Sequence, residues 1–215
     1  MRQMMIAALL VLTVLSAGCS GDQPSYDAQA RANDPATQTS TSPEPDMPET
    51  DRDQALAAYN AALMDDSPKV ELTDAQWEAI LSDEEFRILR RSGTERIGTG
   101  RYLDNDDNGS YHCAGCGLYL YDAKHKFHSG CGWPSFNQEV GEDVLTYIRD
   151  TSHGMTRTEM RCARCDGHMG HVFNDAPDQP TGIRHCVNGG AIIFVPQGED
   201  PQAVIAQHRG QHAER

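Results

Sequence analysis

A mainly β domain opened by short helices, its small antiparallel sheets stapled by four cysteines, is the fold class that this 215-residue sequence predicts. Three observations carry it. Two C-x-x-C pairs, Cys113/Cys116 and Cys162/Cys165, are separated by 45 residues. Glycine is frequent from there on, and the apolar runs are short and alternating, which is the period of strands. Ahead of them stand Thr73-Asp-Ala-Gln76 and Ser82-Asp-Glu-Glu85, two capping boxes that place a hydroxyl three residues before a Gln or Glu. Strands and helices do not alternate, so a doubly wound parallel sheet is not expected.

The chain divides into four parts. Residues 1–18 read as an export signal: Arg2, an apolar run from Met4 to Leu15, then Ser16-Ala17-Gly18. That run is shorter than the roughly 20 apolar residues a membrane helix needs, and it fits a cleaved signal with small residues at its end. Leu15-Ser-Ala-Gly-Cys19 resembles a bacterial lipoprotein signal, which implies lipidation of Cys19. Ser16 departs from that pattern, where Leu is preferred. Ser20 after the cysteine implies a lipid anchor in the outer membrane, with the protein facing the periplasm. Residues 19–68 are rich in Pro, Ser, Thr and Asp, with ten acidic and two basic side chains; the resulting −8 is most of the chain's −14. Such a segment buries too little apolar surface to offset chain entropy, and reads as a disordered, acidic tether broken by a short helical stretch from Gln54 to Met64. Residues 69–207 form one domain, and 208–215 a C-terminal tail. No basic patch suggests nucleic acid, nothing in the mature chain can span a membrane, and a monomer is expected.

Within the domain the elements follow in order. Trp77, Ile80 and Leu81 share one helical face after the first capping box, and Phe86 and Leu89 after the second. Tyr119-Leu-Tyr121, Val144 to Ile148, Glu159-Met-Arg161, His171-Val-Phe173 and Ala191 to Val195 read as strands between turns. Gln202 to Gln207 adds a short helix.

Each C-x-x-C brings two sulfurs to one ion from a tight turn, and two such turns complete a closed tetrahedron of four thiolates. Cys113, Cys116, Cys162 and Cys165 are therefore the predicted ligands of one structural Zn2+, joining parts of the fold distant in sequence. The rival readings are disulfides, a thioredoxin-like redox pair and a nucleic-acid-binding zinc ribbon. Neither pair sits between a strand and a long helix, and the acidity and export signal oppose the ribbon.

Two thiols are left for chemistry. In an extended Arg184-His-Cys-Val-Asn188, alternation puts Arg184, Cys186 and Asn188 on one face. A guanidinium beside Cys186 favours its thiolate, making it the candidate nucleophile, and Asn188 can orient a substrate oxygen or a water. An inert, buried cysteine is the plainer alternative. Cys131 lies in the turn Gly130-Cys-Gly-Trp-Pro134, where an exposed thiol suits a resolving role. Trp133 beside it is either a core anchor or a face for a methyl-sulfur group. His168 and His171, pinned behind the second C-x-x-C, are either placed to donate protons or ordinary polar loop histidines; a second metal site lacks a carboxylate or third histidine beside them.

Gly130-Cys-Gly-Trp-Pro-Ser-Phe136, Gly167-His-Met-Gly-His-Val-Phe173 and Arg184-His-Cys-Val-Asn188, interleaved with the two C-x-x-C pairs, resemble the B-type peptide methionine sulfoxide reductases. The likeness runs from about Val70 to Pro196 and includes Gly93-Thr-Glu95. It implies a pair of antiparallel sheets with N-terminal helices, and reduction of the R epimer of methionine sulfoxide in peptides and proteins. Cys186 would attack and Cys131 resolve, while His168, His171, Asp175, Arg184, Asn188 and Trp133 line the substrate site. The cycle would pass through a Cys186 sulfenic acid and a Cys131–Cys186 disulfide, reopened by a thioredoxin-like dithiol protein. Two departures stand out. His185 replaces the family's usual aromatic residue, with expected effects on pH dependence or substrate fit. Gly189-Gly190 follows Asn188 where small polar residues are common, which is expected to loosen the strand. A zinc-stapled binding module and a peroxidase are the alternatives from other classes.

Overall fold

The computed structural model describes residues 49–64 and 69–213. The expectations for the signal 1–18, for Cys19 and for the tether as far as residue 48 lie outside those residues. Three helices open the described chain: α1 (Glu49–Met64), α2 (Asp74–Ile80) and α3 (Asp83–Arg91). Both capping boxes form. Thr73 Oγ accepts from Gln76 N–H at 3.2 Å and Thr73 N–H donates back to Gln76 Oε1 at 2.8 Å. Ser82 and Glu85 exchange the same pair of bonds at 3.3 and 3.1 Å. Each box satisfies two helix N–H groups that the helix itself cannot. Trp77, Ile80, Leu81, Phe86 and Leu89 are buried as their spacing requires, joined by Ile88.

Nine strands follow: β1 (Gly109–Cys113), β2 (Tyr119–Asp122), β3 (Lys126–Phe127), β4 (Ser135–Phe136), β5 (Leu145–Asp150), β6 (Arg157–Cys162), β7 (His168–Phe173), β8 (Arg184–Val187) and β9 (Ile192–Pro196). They pair antiparallel throughout. One sheet runs β2-β1-β9 and the other β3-β4-β8-β7-β6-β5, the two antiparallel sheets that were expected. The five runs read as strands are strands, although Ala191 lies in the 3-10 turn before β9. Strand β1 and the two-residue strands β3 and β4 are additions, too polar or too short to show a period. Aromatic rings tie the sheets together: Phe136 of β4 stacks on Tyr121 of β2 at 4.2 Å and meets Tyr111 of β1 edge-on at 5.0 Å. Such ring pairs add about 0.5–1.5 kcal/mol each beyond their buried area.

Two boundaries move. Ala55 and Tyr59, one helical turn apart on α1, are buried in the domain core, so the expected spacer 19–68 contains a helix that belongs to the domain. The tail 208–215 is largely helical too, as part of α4 (Pro201–Ala213). The physical reason is Glu85. Its carboxylate is fully buried and meets His208 Nε2 at 2.6 Å, Arg209 at 3.3 Å and Arg101 at 3.1 Å. Burial opposes that charge, but His208 and Arg209 prevail and hold the carboxyl well below its usual range. Arg209 also donates to the Tyr59 hydroxyl at 3.4 Å, locking α1 and α4 together.

The β6–β7 ladder contains an irregularity that matters for the site. Gly170 pairs with Met160 and His168 with Arg161, so Met169 is an extra residue on β7. A bulge of this kind reverses the alternation on one side of it. His168 and His171, which strict alternation would point to opposite faces, come together with ring centroids 5.5 Å apart, while Met169 turns into the core. Gly170 makes this possible. Its φ of +146° suits glycine, and a Cβ there would overlap the Cys186 carbonyl oxygen. Gly170→Ala is expected to cost roughly 3 kcal/mol of stability, measured by denaturant unfolding. A loss under about 1 kcal/mol would mean that the bulge relaxes without strain.

Candidate active site

Strand β8 lies between β4 and β7, and register decides what surrounds its thiol. Cys186 pairs with Ser135 on one side and His171 on the other, and His171 pairs in turn with Glu159 of β6. Directly paired residues share a face, so Ser135, Cys186, His171 and Glu159 form one row. The alternation expected for β8 holds: His185 and Val187 are buried, while Arg184 and Cys186 are half-buried on the other face. The turn before β4 folds over this row and brings Cys131 Sγ to 3.7 Å from Cys186 Sγ, with both thiols free. A disulfide needs about 2.05 Å between sulfurs, so a small movement closes it.

The two thiols ionise unequally, and the expected lowering of Cys186 by Arg184 is outweighed. Burial pushes the Cys186 thiol up to about 12, the neighbouring Cys131 adds to this, and Arg184 offsets only part of it. Arg184 is shared: besides favouring the Cys186 thiolate it forks onto Asp175 at 2.9 and 2.7 Å and lies over the Phe173 ring at 4.5 Å. Cys131 is also raised by burial, but the hydroxyls of Ser129 and Ser135 outweigh that, and the net shift is downward. In the resting pair Cys131 is therefore the more acidic thiol.

The histidines are held by carboxylates that sequence reasoning did not assign. His171 Nε2 donates to Asp150 Oδ2 at 2.8 Å, which leaves Nδ1 for proton exchange. Asp150 also accepts from Arg157 at 2.6 Å and Ser152 N–H at 2.8 Å; the bonds from Ser152 and His171 hold it well below the usual carboxylate range. His168 Nδ1 meets Glu159 at 2.6 Å, and its Nε2 is buried without a partner. Burial pushes the His168 pKa down, against the pull of Glu159. Of the two, His171 is the one beside the thiol.

Asn188 and Trp133 both lead to Glu95. Asn188 is 3 % exposed; its Oδ1 accepts from Glu95 N–H at 3.1 Å and its Nδ2 donates to Met169 O at 3.2 Å. Its amide is spent on the main chain rather than turned toward a substrate. Trp133, half-buried, donates its indole N–H to Glu95 O at 3.3 Å. The Glu95 carboxylate accepts from Gly189 N–H at 2.5 Å and Gly190 N–H at 3.0 Å. Burial raises its pKa despite these bonds. The glycine pair is thus pinned rather than loose, and a Cβ on Gly189 would overlap the Arg101 main chain. His185 faces the core between Tyr121 (3.2 Å) and Glu139 (3.6 Å), away from the thiol row. Asp150, Glu159, Glu95 and Ser135 were the unassigned members: strand pairing brings in Asp150, Glu159 and Ser135, and the loop after α3 brings in Glu95, which alone had a signal, through Gly93-Thr-Glu95.

Behind β7, Cys113, Cys116, Cys162 and Cys165 are buried with all sulfurs within 4.8 Å of one another. Cys113–Cys165 and Cys116–Cys162 are 3.6 and 3.5 Å apart, close to the roughly 3.8 Å edge of a tetrahedron with 2.3 Å metal–sulfur bonds. The cluster can hold a metal ion, and it joins the end of β1 to the β6–β7 turn.

The SelR domain pattern matches residues 81–196, more than half of the chain and all nine strands. The chain belongs to the SelR domain family. Curated relatives agree along its length. The peptide methionine sulfoxide reductase MsrB of Pseudomonas fluorescens is 50% identical over 129 residues, 60% of this chain and 98% of the relative. That of Thiobacillus denitrificans is 51% identical over 132 residues, covering 61% and 97%, and that of Agrobacterium fabrum 49% over 130, covering 60% and 96%. The SelR match contains both thiols, both histidines and the four-cysteine cluster; α1, α2 and α4 lie outside it.

With iodoacetamide near neutral pH, Cys131 is expected to react before Cys186, read by mass spectrometry of the alkylated peptides. In Cys131→Ser, loss of the neighbouring thiol should lower the pKa of Cys186 and speed its alkylation. Faster reaction at Cys186 in the unmodified protein would contradict the order of ionisation.

Proposed function

We propose that this chain reduces the R epimer of methionine sulfoxide in peptides and proteins, repairing oxidised methionine in the cell envelope. The observation that carries the proposal is the free Cys131–Cys186 pair at 3.7 Å, inside a SelR domain about half identical to peptide methionine sulfoxide reductases.

The chemistry follows from the groups present. Cys186 starts as a thiol, so its proton must leave as sulfur attacks sulfur. His171, held at Nε2 by Asp150, passes that proton through Nδ1 to the sulfoxide oxygen, which makes the substrate sulfur electrophilic. The methyl and the sulfonium-like charge rest on the face of Trp133, oriented by its bond to Glu95 O. The hydroxyl then passes from the substrate sulfur to the Cys186 sulfur as the transient S–S bond breaks, so that methionine leaves and Cys186 becomes a sulfenic acid. Cys131 then attacks the Cys186 sulfur, the disulfide forms, and hydroxide leaves as water once protonated. A thioredoxin-like dithiol protein reopens the disulfide. The Arg184–Asp175 fork forms a charged rim for the peptide.

The ion fitting four cysteine sulfurs at these separations is zinc, one per chain, which closes the site structurally and leaves no position open for water. By the signal read in 1–18, the domain is exported and anchored by lipid on Cys19, facing the periplasm as a monomer.

With dithiothreitol and a peptide carrying racemic methionine sulfoxide, half of the substrate is expected to disappear, leaving the S epimer. Cys186→Ser should be inactive, and Cys131→Ser should release about one methionine per chain and then stop with a thioredoxin-like reductant. Folded protein that leaves both epimers intact would refute the reductase reading. Metal analysis should give one zinc per chain, and Cys162→Ser should lose both the metal and the cooperative unfolding transition.

A further inference from the structure

Cys131 must wait as a nucleophile while its neighbour reacts, and its surroundings are built for that. Ser129 Oγ lies 3.1 Å from Cys131 Sγ, placed to donate to it. The same oxygen accepts from Cys131 N–H at 3.4 Å and is 2.7 Å from Ser135 Oγ. Ser135 is fully buried, 3.5 Å from Cys131 Sγ and 3.2 Å from Trp133 O, and pairs in register with Cys186. Two hydroxyls therefore converge on the resolving sulfur from the two ends of the Ser129–Ser135 turn. None of the steps above uses them.

We propose that Ser129 and Ser135 are catalytic residues of the resolving step, holding Cys131 as a hydrogen-bonded thiolate aimed at Cys186. The proposal rests on the reductase reading and assigns residues to its second half. Ser135 donates to Ser129 Oγ, and Ser129 donates to the sulfur. A thiolate accepts hydrogen bonds more strongly than a thiol, so this chain favours ionisation where burial alone would suppress it. The downward shift of Cys131 beside an upward-shifted Cys186 agrees with it. The charged and titratable groups facing Cys131 are Cys186 and Arg184 of β8; with Arg184 forked onto Asp175, the hydroxyls carry the stabilisation at close range. In the step itself, the Cys131 thiolate forms the S–S bond as the Cys186 S–O bond breaks. The sulfenic acid is reduced as the thiolate is oxidised, and the departing hydroxide takes a proton from solvent to leave as water. Once sulfur carries the disulfide bond it is a poor acceptor, and Ser129 is released from it.

The test is a single turnover of the full chain, reduced and metal-loaded, with a methionine sulfoxide peptide and no external reductant. Methionine release and thiol loss are followed separately, and sulfenic acid is trapped with a 1,3-dicarbonyl reagent. Ser129→Ala should slow thiol loss relative to methionine release by tenfold or more, with trapped sulfenic acid appearing on Cys186. Ser129→Thr, which keeps the hydroxyl, should restore the wild-type ratio; Ser135→Ala should act in the same direction but less strongly. An unchanged ratio in Ser129→Ala, or loss of both steps in equal proportion, overturns the assignment. If the unmodified chain releases no methionine, the reductase reading falls. Iodoacetamide alkylation of Cys131 then still decides the serines' role: a rate in Ser129→Ala equal to wild type refutes it, a lower rate upholds it.

Discussion

Four sulfurs crowded behind β7 set the geometry on which the rest of the site depends. Cys113 and Cys116 come from the end of β1 in the three-stranded sheet, Cys162 and Cys165 from the β6–β7 turn of the six-stranded one. Bringing four thiol groups this close is unfavourable unless an ion shares them. An ion held there would clamp the turn leading into β7 against the other sheet, and His168 begins β7 three residues after Cys165. The bulge at Met169 and Gly170 then decides where the two histidines point.

A second layer of constraint is polar and buried. The Glu95 carboxylate accepts from Gly189 and Gly190, while its N–H donates to Asn188 Oδ1 and its carbonyl accepts from the Trp133 indole. The loop carrying Trp133, the turn after Cys186 and the β7 main chain are thereby joined through side chains with almost no exposure. Buried polar groups are costly when unpaired, so a network this complete admits one arrangement rather than several. The reacting sulfurs sit on its surface, and their environments differ. Cys186 is raised by burial and by its neighbour; Cys131 is lowered by hydroxyls.

Much of this was legible in the chain. The capping boxes at Thr73 and Ser82 formed as written, because a capping box is a local contract among four residues. The four clustered cysteines were separable from the other three because two C-x-x-C pairs without a redox helix suit one shared ion. The face shared by Arg184 and Cys186 followed from alternation. What misled was inference across space. Arg184 does favour the Cys186 thiolate as read, but it shares its guanidinium with Asp175, brought across a turn, and burial of the thiol outweighs it. The acidic stretch through 19–68 was read as a spacer by composition, although Ala55 and Tyr59 carry a stripe that the core accepts. The last helix was expected to end at Gln207, yet Arg209 and His208 bind through charge to a glutamate whose burial no local pattern reveals.

The sequence by itself determined the longer strands, the capped helices, the four cysteines that cluster and the family, because these depend on residue type and short spacing. Only the tertiary structure decided which groups surround Cys131 and Cys186. Asp150 on His171 and Glu159 on His168 are matters of strand register and of one extra residue in β7, while Glu95 beneath Trp133 and Ser129 at Cys131 come from loops folded over the sheet. A shift of one position in a strand exchanges its two faces. No local pattern of residues specifies that position; the packing of the two sheets around the β6–β7 turn does.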